Sequence, residues 1–191
     1  SVLPEKKEEL AADYLLVVDT GYEDEDRPAV TIGVRGICVM TVKFIGSNTD
    51  LHSGVHGSIA YNPNRALVEV LAKLKNEHGE VQVPGFYEDV VPPVPETLKE
   101  LDTHFDEAGY KAIFGAEPTG VEKDYSPIES NWIRPSLDIN GIGGGYSGDG
   151  FKTVIPKEAV AKISCRLVPD QNPKKIAESI GKFIEDNAPV G

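Results

Sequence analysis

An α+β sandwich, with an antiparallel sheet carrying two helices on one face, is predicted by three observations. Segments around Cys38–Phe44 and over Val160–Val168 alternate apolar and polar residues with the two-residue period of half-buried strands. Asn62-Pro63 and Asn172-Pro173 each precede apolar residues at helical spacing. The elements then run strand, helix, insertion, strand, strand, helix. That is the split βαβ, ferredoxin-like order with its last strand missing.

Taken along the chain, Tyr14-Leu15-Leu16-Val17-Val18-Asp19-Thr20-Gly21 reads as a strand buried on both faces, of the kind usual in parallel sheets. It has no evident partner here, so residues 1–28 are expected to be a leader left from another domain. Glu23 to Pro28 reads as an exposed linker. From Ala29 to Ile45 the chain is rich in β-branched residues, with Cys38, Met40, Val42 and Phe44 on one side and Thr41 and Lys43 on the other. After the polar turn 46–50, a helix is expected from Asn62-Pro63, carrying Leu67, Val70, Leu71 and Leu74 and ending at His78-Gly79. The prolines of 80–135 break regular structure, and this stretch reads as a long insertion with one or two short helices between 96 and 114. Ser136 to Ile142 is a short strand, followed by a glycine-rich loop to Gly150. In the strand 160–168, Ala161, Ile163, Cys165 and Leu167 face the core, while Lys162, Ser164 and Arg166 face away. Ile176, Ile180, Phe183 and Ile184 mark the second amphipathic helix. The fold domain is thus placed at 29–191. The chain ends where the final strand should start, so both ends look cut.

Composition narrows the function. The 191 residues carry 19 basic and 31 acidic side chains, a net charge of -12. The charge is uneven: residues 1–28 are net -6, 29–76 net +3, 77–129 net -10 and 130–191 net +1. The near-neutral blocks coincide with the frame of the fold and the acidic ones with leader and insertion. No basic patch is available to neutralise phosphates, which excludes nucleic acid. No apolar run reaches the roughly 20 residues of a membrane helix, and Ser1-Val2-Leu3-Pro4-Glu5-Lys6-Lys7 is not a signal peptide. Cys38 and Cys165 both lie in strands, as reduced core thiols of a cytoplasmic protein would.

Taken alone, the chemical motifs are weak. Gly143-Gly144-Gly145-Tyr146-Ser147-Gly148 fits a dinucleotide glycine pattern, but an extended segment follows where a helix N-terminus is needed. His52 and His56 have the spacing of two helical metal ligands, yet Ser53, Gly54 and Gly57 argue against a helix there. Asp19, at the end of a buried strand, is either a ligand-site residue or a polar loop-starter. Arg166 is either functional or a solvated strand residue.

Seven segments together resemble one family: Val18-Asp19-Thr20-Gly21, Pro28 to Gly36 ending in Val34-Arg35-Gly36, Asp50-Leu51-His52-Ser53-Gly54, Val83-Pro84-Gly85-Phe86-Tyr87, Arg134-Pro135-Ser136-Leu137, Gly145 to Pro156, and Ser164 to Pro169. It is the family of dinuclear zinc metallopeptidases that includes carnosinase, cytosolic nonspecific dipeptidase, glutamate carboxypeptidase and succinyl-diaminopimelate desuccinylase. The dipeptidase branch is the most similar. The resemblance implies a lid and dimerisation domain preceded by the end of a catalytic half. Two zinc ions in the parent enzyme would activate water and polarise the scissile carbonyl. Of the family's metal ligands only Asp19 has a counterpart here, so no zinc is expected to bind specifically to this chain alone, and no peptidase activity is expected from it. By the same resemblance His52 reaches into the partner subunit of a homodimer to stabilise the oxyanion. Arg166 holds the carboxylate of a small peptide substrate, and Thr153 adds a hydrogen bond near the same end. The alternative is a self-standing ferredoxin-like interaction module with no catalytic role.

Overall fold

The computed structural model describes residues 4–14, 33–100 and 105–189. Two compact units are distinguished, residues 1–34 and 35–191. Of the first, the described part is a turn in which the Leu10 amide donates to the Lys6 carbonyl. The strand expected over 14–18, apart from Tyr14, and Asp19 lie outside the described residues.

In the second unit, β1 (Gly36–Ile45), β3 (Ser136–Gly144) and β5 (Glu158–Leu167) form an antiparallel sheet in the order β1-β5-β3. Cys38 stands opposite Cys165 and Val42 opposite Ala161, so the alternation read in each strand falls on one face. Ala159, Ala161, Ile163, Cys165 and Leu167 are buried there. Burial pushes the Cys165 thiol up to about 12, which keeps it protonated and inert. On the opposite face, Lys162 donates to the Thr41 hydroxyl and Lys43 pairs with Glu158, between exposed Ile37, Val39 and Ile45.

Two helices cover the apolar face. Helix α2 (Pro63–Leu71) starts where Asn62 Oδ1 accepts the Asn64 amide at 2.9 Å and Pro63 takes the first helical position. Helix α6 (Pro173–Asn187) repeats the device with Asn172. Leu67, Val70, Ile176 and Ile180 are fully buried, each worth about 1.5–3 kcal/mol by transfer from water.

Three boundaries differ from the sequence expectation. Helix α2 ends at Leu71, not at His78, because Lys73 and Leu74 close tighter turns onto Val70 and Leu71. The chain then reverses through Asn76–Glu80, and an isolated bridge joins Lys75 to Val81. Leu74 stays buried, so its apolar spacing is real without the helix continuing. Strand β3 runs on to Gly144, so the first glycines belong to the sheet, with an irregularity between Ile139 and Gly141. Residues 80–135 are not peripheral from their start, because Val81, Val83 and Phe86 are core residues. The rest of the segment carries α3 (Pro95–Glu100), α4 (Glu107–Phe114) and α5 (Pro127–Trp132). Helix α5 opens on a capping box in which Ser126 and Glu129 exchange hydrogen bonds.

Gln171 is the buried polar residue that ties this segment to the frame. Its amide donates to the Phe86 carbonyl at 2.7 Å, and its carbonyl accepts the Val168 amide at 3.0 Å. Leucine at 171 would orphan both backbone groups, at about 1–3 kcal/mol each. Q171L is therefore expected to lower the urea midpoint with an unchanged m-value, and an unshifted midpoint would contradict this role.

Candidate functional site

Two motifs 101 residues apart in sequence are joined by a short two-stranded sheet. Strand β2 (Leu51–His52) pairs antiparallel with β4 (Val154–Ile155), setting His52 opposite Val154. Asp50 Oδ1 accepts the Lys157 amide at 3.0 Å, and the Ser53 amide donates to the Thr153 carbonyl at 3.0 Å. These bonds flank the pairing on both sides and hold His52 beside Thr153.

His52 also caps a one-turn helix, α1 (Ser53–His56), which the glycines of this segment had argued against. Its Nδ1 accepts the Gly54 amide at 2.9 Å. A nitrogen that accepts carries no proton, so in the neutral ring the proton sits on Nε2. That nitrogen lies 3.2 Å from Thr153 Oγ1 and donates to it. The imidazole therefore has its backbone side occupied and its donor side turned outward. Gly54 is required for this arrangement, since a Cβ there would stand 2.8 Å from His52 Cε1. His56 ends the same turn, while His52 precedes it and has Nδ1 engaged, which does not suit a pair of helical metal ligands.

Arg166 is not part of this cluster. It lies on the free face near the end of β5, opposite Ile37 on one side and Ser136 on the other. Thr153 precedes the start of that strand at Glu158, and the eight steps along the strand from Glu158 to Arg166 span about 27 Å. Within one chain Thr153 is thus a neighbour of His52 and stands away from Arg166. Near Arg166 stands Arg35, whose guanidinium is lowered below its ordinary value by burial first and by the charge of Arg166 second, with Asp138 opposing. Arg35 donates to Asn131 Oδ1 at 2.9 Å and to the Arg134 carbonyl at 3.3 Å. Sequence reasoning quoted Arg35 within a motif but assigned it no role, since its partners are some hundred residues away.

A second polar cluster, in the 80–135 segment, was not foreseen. Arg134 meets Glu122 through Nε at 3.1 Å and Nη2 at 2.5 Å. The guanidinium is sandwiched between the rings of Tyr87 and Tyr125, 4.8 and 4.4 Å from their centroids. Both charged side chains are largely buried, 14% and 11% exposed. Arg134 is thus engaged by a carboxylate and two rings from within the chain, which makes this a structural clamp.

Among the described residues no group of three His, Cys, Asp or Glu side chains could hold a metal ion, and no helix is long and apolar enough to cross a membrane.

Residues 32–191 match the family model described as the peptidase dimerisation domain. A human Beta-Ala-His dipeptidase is 33% identical over 91% of this chain. The Cys-Gly metallodipeptidase dug1 of Schizosaccharomyces pombe is 30% identical over 92% of it. These matches occupy 34% and 36% of those relatives, so the chain spans about a third of their length. Among solved structures, an M20 family metallo-carboxypeptidase from Sulfolobus solfataricus superposes with a TM-score of 0.78 at 28% identity, over 97% of this chain and 48% of that one. Human carnosine dipeptidase 1 superposes with a TM-score of 0.70 at 34% identity, over 84% of this chain and 34% of that one.

Proposed function

We propose, from the premise that this chain belongs to the peptidase dimerisation domain family, that it is the lid of a homodimeric, zinc-dependent dipeptidase. In that role His52 stabilises the oxyanion formed in the partner subunit's active site. The observation that carries this reading is the tautomer of His52. With Nδ1 accepting from Gly54, the ring offers an N–H donor from an exposed position, which is what a developing oxyanion requires. Thr153 holds the ring until the substrate oxygen replaces its hydroxyl. Arg166 offers a guanidinium to the substrate carboxylate. Its separation from His52 along β5 supports a site assembled from two subunits, each giving one of these residues.

The sheet order β1-β5-β3, with α2 and α6 on one face, supports the ferredoxin-like reading of the lid, whose fourth strand has no counterpart among the described residues. Two zinc ions are proposed for the parent enzyme, with Asp19 as this chain's contribution to their ligands. The described residues do not themselves make a zinc site, so the 191 residues alone are expected to hydrolyse no dipeptide. The protonated, buried thiols suit a cytoplasmic enzyme.

The test is subunit complementation in the full-length parent. Asp19→Ala and His52→Ala are each expected to be nearly inactive as homodimers. Mixed after dissociation and reassociation, they should recover about a quarter of wild-type activity. Half the dimers are then mixed, and each mixed dimer has one intact site. No recovery on mixing would exclude action across the dimer.

A further inference from the structure

We infer that Phe151 is a specificity-determining residue of this site, providing an apolar wall for the side chain of the substrate residue that carries the scissile carbonyl. The inference rests on the placement of His52 proposed above.

Phe151 is fully exposed, at 105% of its reference area, the highest value among the large apolar side chains described. An exposed apolar residue on a surface is ordinary by itself. This one differs in where it stands and in how its loop is built. It precedes Thr153 by two residues, so the two Cα atoms lie within about 7 Å. Thr153 in turn touches His52 Nε2. The segment that carries Phe151 is anchored on both sides. Before it, the Tyr146 hydroxyl donates to the Asp149 carbonyl at 2.8 Å, closing a turn. The Tyr146 ring lies over Gly148 so closely that a Cβ there would stand 2.7 Å from the hydroxyl oxygen. After it, the Thr153 carbonyl accepts the Ser53 amide, and β4 begins. The ring is therefore presented from a segment tied at both ends, and none of its own surface is covered by the described residues.

A dipeptide whose scissile carbonyl faces His52 places the side chain of its N-terminal residue two bonds from the carbonyl carbon, on Cα. That side chain is the part of the substrate within reach of Phe151. Burying an aliphatic or aromatic side chain against the ring favours such substrates over one with glycine at this position. The discrimination expected from a single apolar contact of this kind is about tenfold. The side chain of the C-terminal residue, whose carboxylate is assigned to Arg166, lies one bond further, beyond the scissile nitrogen.

The experiment compares wild-type and Phe151→Ala full-length enzyme, zinc-loaded, on Leu-Gly, Gly-Leu and Gly-Gly. The expected result is a roughly tenfold fall in the Leu-Gly to Gly-Gly ratio of kcat/KM, with Gly-Leu and Gly-Gly unchanged. Phe151→Leu should keep most of the wild-type ratio. Both variants should melt with the wild type, since the removed side chain is fully exposed among the described residues. An unchanged ratio overturns the inference, as does a shift confined to Gly-Leu. A lower Tm with equal losses on all three peptides also overturns it, because Phe151 would then be packing against another part of the enzyme. Wild-type enzyme that hydrolyses none of the three peptides would sink the dipeptidase reading itself, a result distinct from each of these.

Discussion

His52→Ala in the full-length parent is expected to lower kcat about 10²–10³-fold while leaving KM nearly unchanged. The expected size follows from losing one preorganised oxyanion donor. The pattern follows from when the bond is used: an interaction made only in the transition state lowers kcat and kcat/KM together. The geometry around the ring sharpens the expectation. Nδ1 is committed to the Gly54 amide and Nε2–H is directed at Thr153, so the donor is aligned before substrate arrives and no reorientation is required. His52→Gln keeps an N–H donor near the position of Nε2 and should restore part of the lost rate. Steady-state kinetics on one dipeptide decide the matter. A His52→Ala enzyme with wild-type kcat would remove His52 from the reaction. A variant with raised KM and normal kcat would make it a binding residue only.

The second large effect is on stability. Arg134→Ala is expected to cost about 3–5 kcal/mol, the usual consequence of leaving one half of a buried ion pair without its partner. Glu122 would be left at 11% side-chain exposure with no counter-ion. Tyr87 and Tyr125 would lose the flat group that fills the space between them. Tyr87 adjoins Phe86, a fully buried core residue whose ring it meets edge-on at 5.1 Å. Damage at the clamp therefore reaches the main core directly. Arg134→Lys should recover only part of the loss, because an ammonium can neither bond Glu122 bidentately nor stack between two rings. Urea unfolding monitored by circular dichroism would report the change. A loss below about 1 kcal/mol in Arg134→Ala would mean that the pair is solvated and the clamp reading mistaken.

Much of the frame was legible because its signals are short-range. The alternation in 160–168 survives as a buried row from Ala159 to Leu167. The Asn-Pro pairs cap helices because an Asn side chain reaches amides only two or three residues ahead, wherever the rest of the chain lies. The end of α2 was misplaced for the complementary reason. Leu74 keeps helical spacing with Leu71 and Val70, yet it is buried from a reversed turn, and the bridge between Lys75 and Val81 that stabilises the reversal is a pairing that spacing does not reveal. The one-turn helix after His52 was missed because its cap is an imidazole nitrogen, a device outside the usual Ser, Thr, Asp and Asn signals.

For the site, the division falls between residue type and juxtaposition. His52, Thr153 and Arg166 were selected by motif, and their chemistry belongs to the residue types themselves: a ring with one donor and one acceptor, a hydroxyl, a planar cation. The sequence by itself therefore determined which groups this domain offers, the strands and helices that carry most of them, and the family to which they belong. Tertiary structure alone decided that Thr153 stands beside His52 within one chain, that the donor nitrogen of His52 is Nε2, and that Arg134 is held by Glu122 between two tyrosines. Each of these depends on a pairing between distant parts of the chain, Leu51 with Ile155 or Tyr87 with Arg134. Such pairings are set by register and packing, which local sequence pattern does not encode.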